Sequence, residues 1–260
     1  MKVLMIGDVF GSPGVFAVKT LLPRLIETYG IGFVVANGEN ALDGRGISES
    51  IAKELFEAGV DVLTSGNHCN ARKEVASFMD TDPRMLRPIN YSDHLPGYGS
   101  TIVQSRCGKR FGVINAAGQI FMSGSQAPYD PVLKEIEKIS KDSDVIVVDF
   151  HAEATSEKRM MGWFLDGKVA AVCGTHTHVQ TADAQILPQG TAYISDLGLT
   201  GSHHSVIGLS VEVAYQRLIE KKPAAFKGGT QDIRLSGLLI ELDTEKIGRA
   251  KSVTTIHESI

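Results

Sequence analysis

The chain has 260 residues, 43% of them hydrophobic and 22% charged, with a formal net charge of -4. That length suits one large α/β domain or two small ones, and the composition is that of a globular protein. Mild acidity excludes a broad electrostatic attraction to nucleic acid, so any phosphate must be held by a local site. Cys69, Cys107 and Cys173 are too few and too scattered for a disulfide framework, which points to a reducing compartment.

The N-terminus, "MKVLMIGDVF", carries one lysine and an apolar run of four residues before Gly7, too short for a signal-peptide core. No later stretch approaches the length of a membrane span, so a cytoplasmic protein without membrane contact is expected. "KVLMI" (2–6), "FVVAN" (33–37) and "DVLTS" (61–65) read as buried strands. Between them fall helices over about 13–29, started by Pro13, and 48–58, where Ile51, Ala52, Leu55, Phe56 and Ala58 recur at helical spacing. This alternation with short links implies a parallel sheet with right-handed crossovers. From about 83 to 129 the chain turns loop-rich, with a hairpin of "STIVQS" and "KRFGVINA" around Gly108. Alternation resumes with a helix near 130–141, a strand at 144–150, and a helix from about 156 that Ser156 caps and that buries Trp163 and Phe164. Strands at 169–174 and near 191–195, a helix around 208–222, and two antiparallel strands at 234–242 and 249–257 complete the pattern. No repeat, low-complexity segment or linker intervenes. Residues 1–260 therefore read as one domain, with about 69–100 available as a small cap over a site.

In open α/β sheets ligands gather beyond the carboxyl ends of the strands. There the sequence places Asp8, then Glu39 and Asn40 in "NGEN", Asn67 and His68 in "SGNH", His151, and His176 and His178 in "GTHTH". Each has a plain structural explanation alone: Asp8 as a helix cap, Asn40 or Asn67 as turn residues, His151 as a bonded core histidine. Their gathering at one edge calls for a common reason. Residues two apart in an extended segment point the same way, so His176 and His178 converge on one metal or on two neighbouring ones. Mixed nitrogen and oxygen donors suit Fe, Mn or Zn. A carboxylate such as Glu39 bridges two ions about 3.5–4 Å apart, an arrangement that binds a hydroxide and neutralises the phosphoryl oxygens it attacks. Cys69 reads as packing or as a cap residue. Glu153 and Asp183 read either as partners orienting the histidines or as surface acids.

These blocks, "GD" at 7–8, "NGEN" at 37–40, "GNH" at 66–68, His151 and "GTHTH" at 174–178, resemble in order the five blocks of calcineurin-like metallophosphoesterases. The longer stretches "GDVFGSPG", "HAEATSEK" and "GTHTHVQTAD" are similar to the bacterial YmdB-type branch, described as 2′,3′-cyclic-nucleotide 2′-phosphodiesterases. The likeness runs from residue 7 to about 200. It implies an α/β fold, a double-layered β-sandwich flanked by helices, with a dinuclear centre at the sheet edge. It implies one ion held by Asp8, Glu39, Asn40 and His178, and a second, bridged by Glu39, held by Asn67, His151 and His176. The ions would be Fe or Mn, with Zn as a further option. His68 would stay off the metals, face the phosphate and protonate the departing sugar oxygen. Phe10 stands where most metallophosphoesterases have a histidine, a substitution the YmdB-type branch shares, and Asn40 would replace the lost ligand. Asn70 stands where that branch commonly has an aromatic, which leaves the base preference open.

The expected activity is hydrolysis of 2′,3′-cyclic nucleotides to 3′-nucleotides by a dimetal-bound hydroxide, acting on a small cyclic nucleotide or an RNA-derived phosphate ester. Assembly into a homo-oligomer is compatible with this. The alternatives are a phosphomonoesterase, a diesterase for another substrate, or a non-catalytic, metal-dependent regulator that binds phosphate or RNA. A dinucleotide-binding protein fits poorly, because Gly7, Gly11 and Gly14 match neither the G-x-G-x-x-G nor the P-loop spacing.

Overall fold

The computed structural model of the protein describes residues 1–243 and 248–260. In chain order its elements are β1 (Lys2–Ile6), β2 (Asp8–Val9), α1 (Gly11–Tyr29), β3 (Ile31–Asn37), α2 (Glu49–Glu57), β4 (Val62–Thr64), α3 (Ala76–Thr81), β5 (Ser100–Gln104) and β6 (Arg110–Ala117). There follow α4 (Tyr129–Ile139), β7 (Val145–His151), α5 (Thr155–Leu165), β8 (Ala171–Thr175), β9 (Gln185–Ile186), β10 (Ala192–Ile194), β11 (Leu199–Ser202), α6 (Val211–Leu218), β12 (Ile233–Leu242) and β13 (Ala250–Ser259). One sheet runs β2-β11-β12-β1-β3-β4, with β13 also on β12, and the other runs β5-β6-β7-β8-β10-β9. β1, β3 and β4 are parallel, as are β6, β7, β8 and β10.

Side-chain alternation along the strands sorts the core into layers. On β1, Leu4 and Ile6 join Val18, Leu22 and Leu55 of α1 and α2. Val3 and Met5 face the other way and meet Phe111, Val147 and Cys173 of the second sheet. Across this middle layer the rings of Phe33 and Phe111 stack at 4.2 Å. On the far side Val148 and Phe150 of β7 pack against Ile136 of α4 and Met161 of α5. The result is the helix-flanked double sandwich. Where both faces are covered, as on β1, β3 and β7, the strands read as nearly unbroken apolar runs.

Several local expectations change. α1 starts at Gly11, whose φ of +59° favours glycine, so Pro13 lies inside the first turn. α5 begins after Ala154 with no side-chain cap, and Ser156 sits within its first turn. Its buried face carries Glu157 and Lys158 alongside Met161 and Leu165, while Trp163 stays 48% exposed. Polar partners draw those two charged residues inward: Glu157 accepts the Gln119 and Ile120 N–H groups, and Lys158 meets Asp196. α6 is shorter than its apolar pattern, because Gly208 (φ +104°) cannot be helical and Ser210 caps the start by accepting from Val213 N–H. β2, β9 and β11 span two to four residues, too few for any periodicity to appear. No helix among the described residues is long and apolar enough to cross a membrane.

Lys158 Nζ donates to Asp196 Oδ2 at 2.7 Å, and each side chain is 1% exposed. Asp196 also accepts from the Thr177 N–H and hydroxyl and from the Gly198 N–H, so the pair ties α5 to the loop after β8. Removing one partner strands a buried charge. Lys158→Met should cost about 3–5 kcal/mol of stability in urea unfolding; a loss below about 1 kcal/mol would show that the pair is dispensable to the fold.

Candidate metal centre

The carboxyl ends of β1, β3 and β4 in one sheet and of β7 and β8 in the other meet at one edge. Asp8 is fully buried there; its Oδ2 accepts the His176 N–H at 3.1 Å, while its Oδ1 has no hydrogen-bond partner. Beyond β3, Gly38 turns the chain and Glu39 points back into the same edge. Glu39 Oε2 accepts the His68 N–H at 2.9 Å, and Oε1 lies 3.1 Å from His151 Nε2. Beyond β4, Gly66 passes so close over the His151 ring that a Cβ would overlap it. Asn67 Oδ1 and His176 Nδ1 each lie 3.0 Å from His151 Nε2. His178 Nε2 lies 3.6 Å from Asp8 Oδ1 and 3.2 Å from the Asn40 amide nitrogen, itself 3.5 Å from Glu39 Oε1.

All seven candidate ligands are thus brought together in two adjoining groups, Asp8–Asn40–His178 and Asn67–His151–His176, with Glu39 against both. The histidine pair reaches them by a different route from the extended segment expected. His176 and His178 have φ of +103° and +64°, in the left-handed region that non-glycine residues avoid. Their rings therefore go to separate neighbouring groups. Thr177 between them is anchored on Asp196, and His178 Nδ1–H donates to Ile207 O at 2.9 Å. Phe10 meets the His178 ring edge-on at 5.6 Å and packs it in place.

A second layer of polar residues sets which ring nitrogen faces the cluster. Thr175 donates its hydroxyl proton to Asp149 Oδ1 at 2.7 Å and so accepts from His151 Nδ1–H at 2.9 Å, leaving Nε2 for the cluster. Thr64 and Asn37 donate to the other Asp149 oxygen. Glu153 Oε2 takes His176 Nε2 at 3.0 Å, leaving Nδ1 inward. Asp183 does not reach a ligand; it accepts from the Ser195 and Thr181 hydroxyls. Sequence reasoning missed Asp149, although an acid inside the apolar run "VIVVDF" was its visible trace.

Electrostatics bind the cluster. Burial pushes Asp8 and Glu39 up, but the facing imidazoles outweigh it and hold both below the usual carboxylate range. His178 resists charge through burial, yet Asp8 lifts it to about 9. His151 is likewise raised by Glu39 and Asp8 against burial. Burial lowers His176, with His151 adding to the effect, and burial also lowers His68 against the pull of Glu39. Burial raises Asp149 to about 6 despite its donors. The Cys69 thiol, pushed up to about 12 by burial and then Glu39, stays protonated and packs.

The donor set fits divalent metal. Asp8 Oδ1 is orphaned, no lysine or arginine pairs with Asp8 or Glu39 among the described residues, and Glu39, His151 and His176 present ligand atoms within 4.8 Å of one another. His68 is half-buried beside the cluster; its Nδ1–H donates to Asn40 Oδ1 at 2.8 Å, which leaves Nε2 to a cleft of about 670 Å³.

A family model described as "YmdB-like protein" matches residues 4–256. A 2′,3′-cyclic-nucleotide 2′-phosphodiesterase of Bacillus subtilis (strain 168) is 42% identical over 245 residues, 94% of this chain and 92% of that protein. Among solved structures, a hypothetical protein from Thermus thermophilus superposes with a TM-score of 0.91 at 36% identity, covering 100% of this chain and 99% of that one. A novel phosphatase from Mycoplasma pneumoniae also gives 0.91, at 30% identity, covering 100% and 93%.

A metal held through His178 Nε2 would displace the proton that Asp8 stabilises on that ring. That proton is bound below pH about 9 and absent above it, so affinity for Mn²⁺ should climb with pH and level off near pH 9. Titration calorimetry in buffers of different ionisation heat should show at least one proton released per protein at pH 7; release of none would contradict this electrostatic account.

Proposed function

The chain belongs to the YmdB-like protein family, and from that premise we propose that it is a metal-dependent phosphodiesterase opening 2′,3′-cyclic nucleotides to 3′-nucleotides. The observation that carries this reading is the buried cluster with an orphaned carboxylate oxygen and His68 on its cleft side. Asp8, Glu39, Asn40 and His178 would hold one ion, and Glu39, Asn67, His151 and His176 a second, Fe or Mn before Zn. Such a pair supplies an activated water and neutralises phosphoryl charge.

The chain's own residues supply the rest. Asp149, Thr175, Glu153 and the Ile207 carbonyl fix the imidazoles, so no reorientation is needed when substrate arrives. Asn40 steadies the His68 ring with Nε2 towards the cleft. As a water oxygen bonds to phosphorus and releases its proton to solvent, the P–O2′ bond breaks and His68 gives the departing 2′ oxygen its Nε2 proton. For this the ring enters the step doubly protonated, a form that burial disfavours and the substrate's phosphate charge favours, and it leaves as the neutral ring with Nδ1–H on Asn40 Oδ1. The product keeps its phosphate on the 3′ oxygen. The activity named for the Bacillus subtilis relative supports this substrate class. Three unpaired cysteines support a cytoplasmic setting.

A broader phosphoesterase is the second reading, favoured by Asn70, which stands where an aromatic was expected but is exposed and lines a hollow apart from the cleft, so it contributes nothing to base recognition. Turnover of a 2′,3′-cyclic nucleotide, a 3′,5′-cyclic nucleotide and a phosphomonoester should rank in that order; equal rates would favour the second reading. His68→Ala should lower kcat by about 10²–10⁴-fold with metal content retained. Glu39→Gln should lose both metal and activity; full activity with unchanged metal would overturn the dimetal assignment.

A further inference from the structure

The wall of the cleft beside His178 carries further side chains to which the reading above assigns no role. Phe226 lines it, 40% exposed, with its ring centre 5.9 Å from that of Phe10. Its ring lies over Gly44, whose φ of +72° and missing side chain make the space for it. Ile207 and Leu209 extend this apolar surface. Asn70 does not take part; it lines a different hollow with Cys69 and Pro96.

Three arginines, Arg45, Arg72 and Arg217, line the same cleft. Arg72 Nε donates to Arg45 O at 3.1 Å, and Arg217 donates twice to Ala224 O, two residues before Phe226. None of the three ion-pairs with a carboxylate among the described residues. The acids that line the cleft are Glu39, Asp43 and Glu153; Glu39 faces His151 and Glu153 is engaged by His176. A chain of net charge -4 that gathers three unmatched arginines in one cleft has a local anion surface there.

Resting on the cyclic-nucleotide reading, we propose that this wall is a subsite for a nucleotide bearing a phosphate on its 5′ oxygen: the base stacks on Phe226 and the extra phosphate meets Arg45, Arg72 and Arg217. The favoured substrate is then the 3′ end of an RNA closed as a 2′,3′-cyclic phosphate, rather than the free mononucleoside. One phosphoryl group is matched by the cluster and His68, so the arginines have capacity for a second. An aromatic face open to a cleft suits any base, because every base has a π-face.

Calorimetry on the metal-replete protein in about 150 mM salt, with adenosine 3′-phosphate and adenosine 3′,5′-bisphosphate as probes, tests this. The bisphosphate should bind about tenfold tighter, and the double variant Arg45→Gln/Arg217→Gln should erase most of that advantage. Phe226→Leu should weaken both probes by about tenfold, and Phe226→Trp should restore them. Equal affinity for the two probes overturns the phosphate subsite, and an unaltered Phe226→Leu overturns the stacking. If adenosine 3′-phosphate binds but no 5′ preference appears, the cyclic-nucleotide reading stands and this one falls. If neither probe binds while bis(4-nitrophenyl) phosphate is hydrolysed, both readings fall.

Discussion

Two buried carboxylates, Asp8 and Glu39, share one sheet edge with no lysine or arginine paired to them among the described residues. Burying an ionised carboxylate is expensive unless positive charge sits beside it. In this protein the positive charge comes from imidazoles that are themselves raised by the carboxylates they face. That exchange accounts for the rest of the edge. The histidines must be close, must present a chosen nitrogen, and must give way to a better cation when one binds.

Holding them there requires support from a distance. His176 and His178 sit in backbone conformations that cost of order 1–3 kcal/mol each and persist only where the surroundings impose them. Asp196 imposes them, through the Thr177 bonds, and Lys158 holds Asp196 from a helix of the second sheet's outer layer. On the other side Asp149 is reached by Thr64 and Asn37 of the first sheet and by Thr175 of the second. The seam between the two sheets is therefore fastened by hydrogen bonds directly beneath the cluster, where apolar packing gives way to polar groups.

The longer strands, the hairpin around Gly108 and the gathering of polar residues at one edge were legible, because each is written in neighbouring residues: apolar runs, alternation, and the residue that follows a strand. Asp149, Lys158 and Phe226 were not legible. Asp149 reads as an interruption until Thr64 and Asn37, far away in the chain, turn out to face it. Lys158 is of a type seldom buried without a partner, and the sequence marked the buried face of its helix with Trp163 and Phe164. The reversal follows from Asp196, thirty-eight positions on. Phe226 lies in a segment without periodicity, and only the empty space over Gly44 assigns it a place. The histidine pair shows a third kind of miss: both rings reach the same edge, but through left-handed backbone and into separate neighbouring groups, not along the extended segment offered as the cause.

β12 lies between β1 and β11 in the middle of the first sheet, and β11 in turn carries β2, the strand that begins with Asp8. The stretch from 233 to 242, which holds no ligand, is thus the keystone of the edge that does. During synthesis a ribosome has delivered all seven candidate ligands by residue 178, while β1 still lacks its neighbour on that side. The centre cannot close on a nascent chain of that length. It must wait for a strand made more than fifty residues later, and until then the histidines and acids are exposed to whatever ions and chaperones the growing chain meets.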